Sequence, residues 1–431
     1  MLKETEHMTN GIKYYACTDG TKRRFCMTLY IRAGSAFEAE NENGITHLFE
    51  HAVFRNIKRK FGGELYGKML PFDLYFNGST YNEFLSFTLM GVPESFPLAC
   101  GILKYIFDDI DVTADEFNAE KGRIKSEIRE DDDRTSIRYF ADCAVWEGTP
   151  LSQTICGSCT SVGRISQKRL NEYKKRIMTC GNLFVYITGN AGKKEFDLLD
   201  KTLGSVNVQS GGIVNENTVP VPADFGKRPQ RILIKSGSYT KVRLSFDVDS
   251  TRFPDGVRDI LYSVLFKSDA SLIYLAISEN DPYVYSFDSR FEEYDNVSVL
   301  KLEYEVAERH FANSVKAVFG VFEKIKNGDF DFDGFKQNRI TSLISDCDDI
   351  DELNFGLAYS NHILAGSRLD FERRDLGRYE QVTKQSVIEM AKAVFKKDNL
   401  VFAVKGNKKH IEKVNPEDLF GLLSGDFSDN I

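Results

Sequence analysis

Two alternating stretches and two helix-to-strand repeats set the pattern of this chain. Apolar residues take every second position at Phe25, Met27, Leu29 and Ile31 in "RFCMTLYIR", after a turn at Asp19-Gly20. They do so again at Val242, Leu244, Phe246 and Val248 in "KVRLSFDVD". A period of two predicts strands with one face in a core. The helical run "ISQKRLNEYKKRIMTC" from Ile165 leads into apolar "GNLFVYITGN", and "VTKQSVIEMAKAVFKK" from Val382 leads into "DNLVFAVKGN". Ser166 and Thr383 suit the helix N-caps, and both strands stop at Gly-Asn. The copies match without a gap at an offset of 383 − 166 = 217 positions, which points to a duplicated α/β unit. Each half passes from strands to helices, so the predicted fold is α+β, built as two tandem homologous α/β sandwich domains. Asn207 to Pro229, rich in Gly, Pro and Asn and without a helical period, reads as a linker between domains at 1–206 and 230–431.

Composition narrows the function classes. The 431 residues are 42% hydrophobic and 28% charged, as in an ordinary globular protein. A net charge of -8 without a basic stripe argues against nucleic acid as a partner. No apolar run reaches the roughly 18 residues of a membrane span, and the polar opening "MLKETEHMTNG" lacks a signal-peptide core. A cytoplasmic protein with no membrane partner is expected. Most of the eight cysteines sit in apolar runs. Cys156 and Cys159 have redox or zinc spacing, but no second pair or neighbouring histidine completes a site.

The chemistry gathers at "NGITHLFEHAVF". From Thr46 to about Lys58 there is no Gly or Pro, and Thr46 or Asn43 could cap a helix there. Residues at i and i+4 share a helix face, so His47 and His51 could hold one zinc ion through their imidazole nitrogens. Glu50 borders that face and could take the proton of a water that the metal acidifies. A third ligand is required, and "TADEFNAEKGRIKSEIREDDD" is its best source. Thr113 and Glu116 form a capping-box pattern. Glu120, Ile124 and Glu127 then fall on one face, where unpartnered carboxylates would be costly. A zinc ion offers Glu127 a partner, and Glu120 could orient a histidine from behind. The bland alternatives are surface histidines and a solvated acidic helix.

With Gly44 before it and Phe54 after it, His47-Leu-Phe-Glu50-His51 resembles the inverted zinc motif of the pitrilysin family, the inverzincins. That family's third ligand is a glutamate about 75 residues downstream, with another glutamate seven residues before it. Here 127 − 51 = 76 and 127 − 120 = 7. "RAGSAFE" at Arg32 to Glu38 and "PLSQTICGSCTSVGRIS" at Pro150 to Ser166 resemble further family segments, and the latter makes Cys156 and Cys159 incidental. The resemblance implies one Zn2+ per chain on His47, His51 and Glu127, Glu50 as general base, and Glu120 behind a ligand. It implies that Asn77, in "FNGSTYNEFLSF", belongs to an edge strand that receives substrate, although Asn77-Gly78 could equally be a plain hairpin turn. Leu70-Pro71-Phe72 departs from the family's usual glycine before that strand. Tyr285 is similar to a substrate-gripping tyrosine, but the arginine expected seven residues earlier is replaced by Ser278. The implied function is a zinc metalloendopeptidase for extended peptides or unfolded tails, leader-peptide processing included. It would work in a chamber closed by a second chain, as a heterodimer with a paralogous subunit or as a homodimer. The rival is a catalytically silent peptide-binding or scaffold subunit.

Overall fold

The protein is described by a computed structural model covering residues 4–130, 136–214, 239–294, 297–346, 348–363, 377–414 and 419–423. The expected linker falls mostly outside these residues. The elements that matter below are, in chain order, β1 (Thr5–Thr9), β2 (Ile12–Thr18), β3 (Phe25–Ile31), α1 (Ile45–Lys60), β4 (Tyr75–Thr80), β5 (Leu85–Gly91) and α2 (Ala114–Glu130). There follow α3 (Ile137–Val145), α4 (Gln167–Ile177), β6 (Leu183–Gly189), β7 (Tyr239–Asp249), α5 (Asp255–Phe266), β8 (Phe287–Glu293) and β9 (Val297–Ala307). The last are α6 (Phe332–Asp346), α7 (Ile350–Ala358), α8 (Lys384–Val394) and β10 (Leu400–Lys405). Among the described residues no helix is long and apolar enough to cross a membrane.

Packing groups the chain into two units. One draws on Met1–Asp132, Gln153–Asn217 and Ser345–Phe371, the other on Asp133–Ser152, Thr218–Ile344 and Glu372–Ile431. The units are therefore not the contiguous domains 1–206 and 230–431 that the linker suggested. Helix α3, from the first half of the sequence, belongs to the second unit, and α7, from the second half, belongs to the first.

Side-chain chemistry explains both exchanges. The first unit's sheet has the order β1-β2-β6-β3-β5-β4, antiparallel except for the β2–β6 pair. Phe25, Met27, Leu29 and Ile31 pack on one face with Leu48, Phe49 and Ala52 of α1 and Ile124 of α2, as their alternation predicts. Yet Cys26, Thr28 and Tyr30 are buried as well. The second face carries Tyr15, Tyr30, Phe84, Phe184 and Tyr186, and Leu353, Leu357 and Ala358 of α7 cover it. A sheet apolar on both faces needs a layer on each. Asn354, fully buried, secures that layer. It accepts the Tyr30 hydroxyl at 3.0 Å and donates to the Cys26 and Tyr186 carbonyls at 3.3 and 3.1 Å.

The second unit's sheet runs β10-β7-β9-β8, all antiparallel. Val242, Leu244, Phe246 and Val248 face α5 and α8 through Ile260, Leu261, Val387 and Met390. The opposite face buries Arg243 and Lys301, cations that need anionic partners there. Asp142 of α3 supplies one at 3.2 and 2.8 Å, and Glu303 accepts from Arg243 at 2.6 Å.

The repeat is real at the atomic level. Ser166 and Thr383 cap α4 and α8. Asn182 then donates to the carbonyls of Arg32 and Ile177 at 3.0 and 2.8 Å, and Asn399 donates to those of Asp247 and Val394 at 2.8 and 2.9 Å. Each asparagine ties a helix end to the neighbouring strand.

Candidate metal centre

Helix α1 starts at Ile45 and is capped neither by Thr46 nor by Asn43. Its N-cap is Gly44, at φ 94°, a left-handed conformation that strains any side chain. A Cβ there would also lie 2.7 Å from the Cys156 carbonyl oxygen. The anion at the helix start comes from upstream: the Glu38 carboxylate accepts the Gly44 and Thr46 N–H groups at 2.7 and 2.8 Å. Burial raises the Glu38 pKa against those bonds. The Thr46 hydroxyl meets Tyr173 instead, at 2.5 Å.

Helical spacing sets His47 and His51 with ring centroids 4.7 Å apart. Helix α2 begins with the expected capping box, with Thr113 N–H donating to Glu116 at 2.8 Å and Glu116 N–H to Thr113 at 3.2 Å. It delivers Glu127 to the pair. Glu127 Oε2 lies 3.2 Å from His47 Nε2 and 3.7 Å from His51 Nε2, and the three ligand atoms lie within 4.8 Å of one another. A tetrahedral zinc with bonds near 2.05 Å places its ligand atoms about 3.3 Å apart. Two neutral-capable imidazoles and one carboxylate at these separations fit such an ion.

Glu120 is 3% exposed. Its Oε2 lies 3.4 Å from His51 Nδ1, while Arg55 Nε donates to Oε1 at 2.8 Å and Arg123 sits 3.3 Å away. Burial alone would raise its pKa, but His51, Arg55 and Arg123 hold it below the usual carboxylate value. His51 is thus steered from behind with its Nε2 turned toward Glu127. His47 has Cys156 and Glu50 beside it. Burial disfavours its charged form, yet with no metal beside it these neighbours raise its pKa to about 11, so a zinc ion would bind His47 by displacing that proton.

Glu50, 8% exposed, accepts the Thr80 hydroxyl at 2.5 Å and lies 3.7 Å from His47 Nδ1. Burial raises its pKa, but His47 and Thr80 outweigh this and keep it below the ordinary value. Strand β4 makes this contact possible, because a Cβ on Gly78 would come within 2.8 Å of Glu50 Cγ and Phe54 Cε2.

Asn77 lies in β4, at the sheet edge, opposite Thr88 of β5. Since side chains alternate, Gly78 and Thr80 face Glu50, whereas Asn77 faces away and lines a cavity on the other side of the sheet. Asn77-Gly78 is thus in a strand and is not the hairpin turn. Tyr285 lies in the second unit and is 99% exposed; the Ser278 hydroxyl there is buried without a hydrogen-bond partner. Cys156 and Cys159 are free, like the other described cysteines. Sequence reasoning missed Thr80, Gly78, Arg55 and Glu38. Arg55 follows His51 by four positions on α1 and could have been read from that spacing; the others depend on chain segments meeting in space.

A tandem α+β fold that brings two imidazoles and a carboxylate to one point beside a sheet edge defines a peptidase-type scaffold with a metal-ligating donor set. The chain belongs to peptidase family M16, the pitrilysin-like family. The description "Insulinase (Peptidase family M16)" matches residues 16–158, and "Peptidase M16 inactive domain" matches residues 164–339. The chain is 23% identical over 222 residues to cytochrome b-c1 complex subunit 1, mitochondrial, of Bos taurus, across 50% of this chain and 45% of that protein. It is 26% identical over 147 residues to mitochondrial-processing peptidase subunit beta of Homo sapiens, across 34% and 30%. These matches span about half the length of such relatives, or less. Among solved structures, a protease from Helicobacter pylori superposes with a TM-score of 0.77 at 18% identity, covering 94% of this chain and 100% of that one. The periplasmic protease PqqL from Escherichia coli gives 0.79 at 17% identity, covering 100% of this chain and 51% of that one.

Proposed function

We propose that this chain is a zinc-dependent endopeptidase that cuts extended peptides or unfolded tails, with leader-peptide removal as one fitting role. The observation that carries the proposal is Glu127 Oε2 at 3.2 and 3.7 Å from the two Nε2 atoms, with the Glu50 carboxyl held by Thr80 alongside. His47, His51 and Glu127 would hold one zinc, with Glu120 fixing the orientation of His51. When bound, zinc supplies Lewis acidity, lowering the pKa of water and polarising a carbonyl. Glu50 takes the proton from the attacking water at its carboxylate and delivers it to the departing amine nitrogen. Thr80 holds that carboxylate in place. The outer edge of β4 would receive the peptide as an added strand through backbone hydrogen bonds. The test is elemental analysis together with turnover. The purified chain should hold about one zinc, and Glu50→Gln should keep it while abolishing the cleavage measured in the mixture with a paralogous partner chain. Full activity of Glu50→Gln would refute the assignment.

A second reading is a catalytically silent peptide-binding or scaffold subunit. It is favoured by the similarity to cytochrome b-c1 complex subunit 1 and by the description of the second matched segment as inactive. The complete His47, Glu50, His51 and Glu127 set supports the enzyme instead. With Ser278 where an arginine is expected, the chain would be the zinc-bearing partner of a paralogous subunit that supplies both gripping residues. A homodimer is the simpler alternative.

A further inference from the structure

The two histidines of the metal centre are supported unequally. Behind His51, Glu120 Oε2 stands 3.4 Å from Nδ1. Behind His47, Nδ1 is buried and makes no hydrogen bond of ordinary geometry with the described residues. With Nε2 turned toward Glu127, a neutral ligating ring carries its proton on Nδ1. A buried N–H left without an acceptor is costly. Glu50 Oε2 lies 3.7 Å from that atom, but its carboxylate is already engaged by Thr80. The other neighbour is Cys156. Burial disfavours a charged His47, and the Cys156 thiol comes before Glu50 among the groups that oppose this effect. Sulfur is a weak acceptor, yet it is one.

The chain around Cys156 is fastened on both sides. Gln153 Nε2 donates to the Glu38 carbonyl at 3.1 Å, and Asn43 Nδ2 donates to the Thr154 carbonyl at 2.8 Å. The Thr154 hydroxyl closes the loop on the Gly157 carbonyl at 3.0 Å. Gly157 has φ 71°, where a side chain would be strained, and a Cβ on it would collide with the Asn43 carbonyl. The approach of the Cys156 carbonyl to Gly44 sets this loop against the start of α1, three residues ahead of His47. Ser158 then caps the short helix Cys159–Arg164. Lys121, next to Glu120 on α2, donates through Nζ to the Gly163 and Ile165 carbonyls at 2.8 Å each. One segment is thus tied to both helices that carry the metal donors. We propose that Cys156 is a positioning residue for the metal: its sulfur accepts the Nδ1 proton of His47 and holds Nε2 toward Glu127, as Glu120 does for His51. This role rests on His47 being a zinc ligand, as the peptidase reading has it, whereas the fastening of the loop stands by itself. Cys156 is then not incidental, because the histidine missing from its own stretch of sequence comes from α1.

The test is the zinc affinity of the full chain, measured by competition with a chelator. Cys156→Ala should weaken zinc binding about 10- to 100-fold. Cys156→Ser, whose hydroxyl oxygen also accepts, should recover most of that loss. Cys159→Ala should bind zinc as the unmodified chain does, and circular dichroism checks that each variant is folded. In the cobalt-loaded chain the thiol should give no sulfur-to-metal charge-transfer band, because it touches the ring and not the ion. Unchanged affinity in Cys156→Ala, equal losses in the alanine and serine variants, or a cobalt–thiolate band each overturns the role. If zinc binding and cleavage in the mixture with a paralogous chain persist in that case, the peptidase reading stands alone. If the unmodified chain binds no zinc, both fall.

Discussion

Glu120 and Gly78 illustrate how much of the centre depends on residues that touch no metal. Glu120 is a buried anion that two arginines and His51 share. Replacing Glu120 with Gln removes the acceptor that orients the His51 ring, so zinc affinity should fall about 10- to 100-fold, measured by competition with a chelator. The chain should remain folded, because Arg55 and Arg123 are partly exposed. Gly78 is a separate case. An added methyl group in Gly78→Ala would push Glu50 and Phe54, each within 2.8 Å of the new atom, while leaving His47, His51 and Glu127 untouched. A displacement approaching 1 Å at a catalytic group costs about 100-fold in rate. Turnover should therefore drop by about that factor with zinc content unchanged; loss of zinc instead would show that β4 supports the donors and not the base.

At the level of elements, helices α1 and α5 carry different chemistry near their starts. Both enter their packing through a glycine: Gly44 sits against Cys156 and Val162, and Gly256 against Arg378 and Val382. Three residues later α1 has His47, whereas α5 has Asp259. Asp259 accepts Arg339 Nε at 2.6 Å and lies 3.5 Å from Arg378, with the Tyr379 hydroxyl also donating to it. An ion-pair cluster thus lies near the start of α5. Burial would raise the Asp259 pKa, but Lys267, Arg339 and Arg378 lower it below the ordinary 3.8. A depressed carboxylate pKa contributes stability that is complete above the unfolded value and is lost as pH falls through the folded one. The second unit should therefore keep this contribution at neutral pH and lose it below about pH 3.8. Asp259→Asn should cost about 3 kcal/mol at pH 7, because it removes the buried carboxylate that Arg339 and Arg378 face, and it should flatten the acid limb of a pH–stability profile from thermal denaturation.

For the whole molecule the proposed function turns on which residues each unit contributes. His47, Glu50, His51 and Glu127 belong to the first unit, and the second holds Tyr285, with Ser278 seven residues before it. The isolated, zinc-loaded chain should turn over a model peptide slowly or not at all. Mixing it with a paralogous chain that carries both arginine and tyrosine should restore turnover at a stoichiometry of one to one. Full activity of the chain alone would show that the missing arginine is dispensable and favour the homodimer.

The sequence by itself determined whatever depends on local spacing. His47, Glu50 and His51 share a helix face because 3.6 residues make a turn, and Glu120 and Glu127 do so for the same reason. The 217-residue repeat placed α4 with β6 and α8 with β10, down to the two asparagines that bridge them. The tertiary structure alone decided which segments meet. The exchange of α3 and α7 between units follows from the second faces of two sheets, one apolar and one cationic, and no local pattern in either helix names its sheet. Glu38 as the α1 cap, Thr80 on the base, and Asn77 facing away from the metal all depend on strand register. A shift of one residue would reverse every side chain of β4.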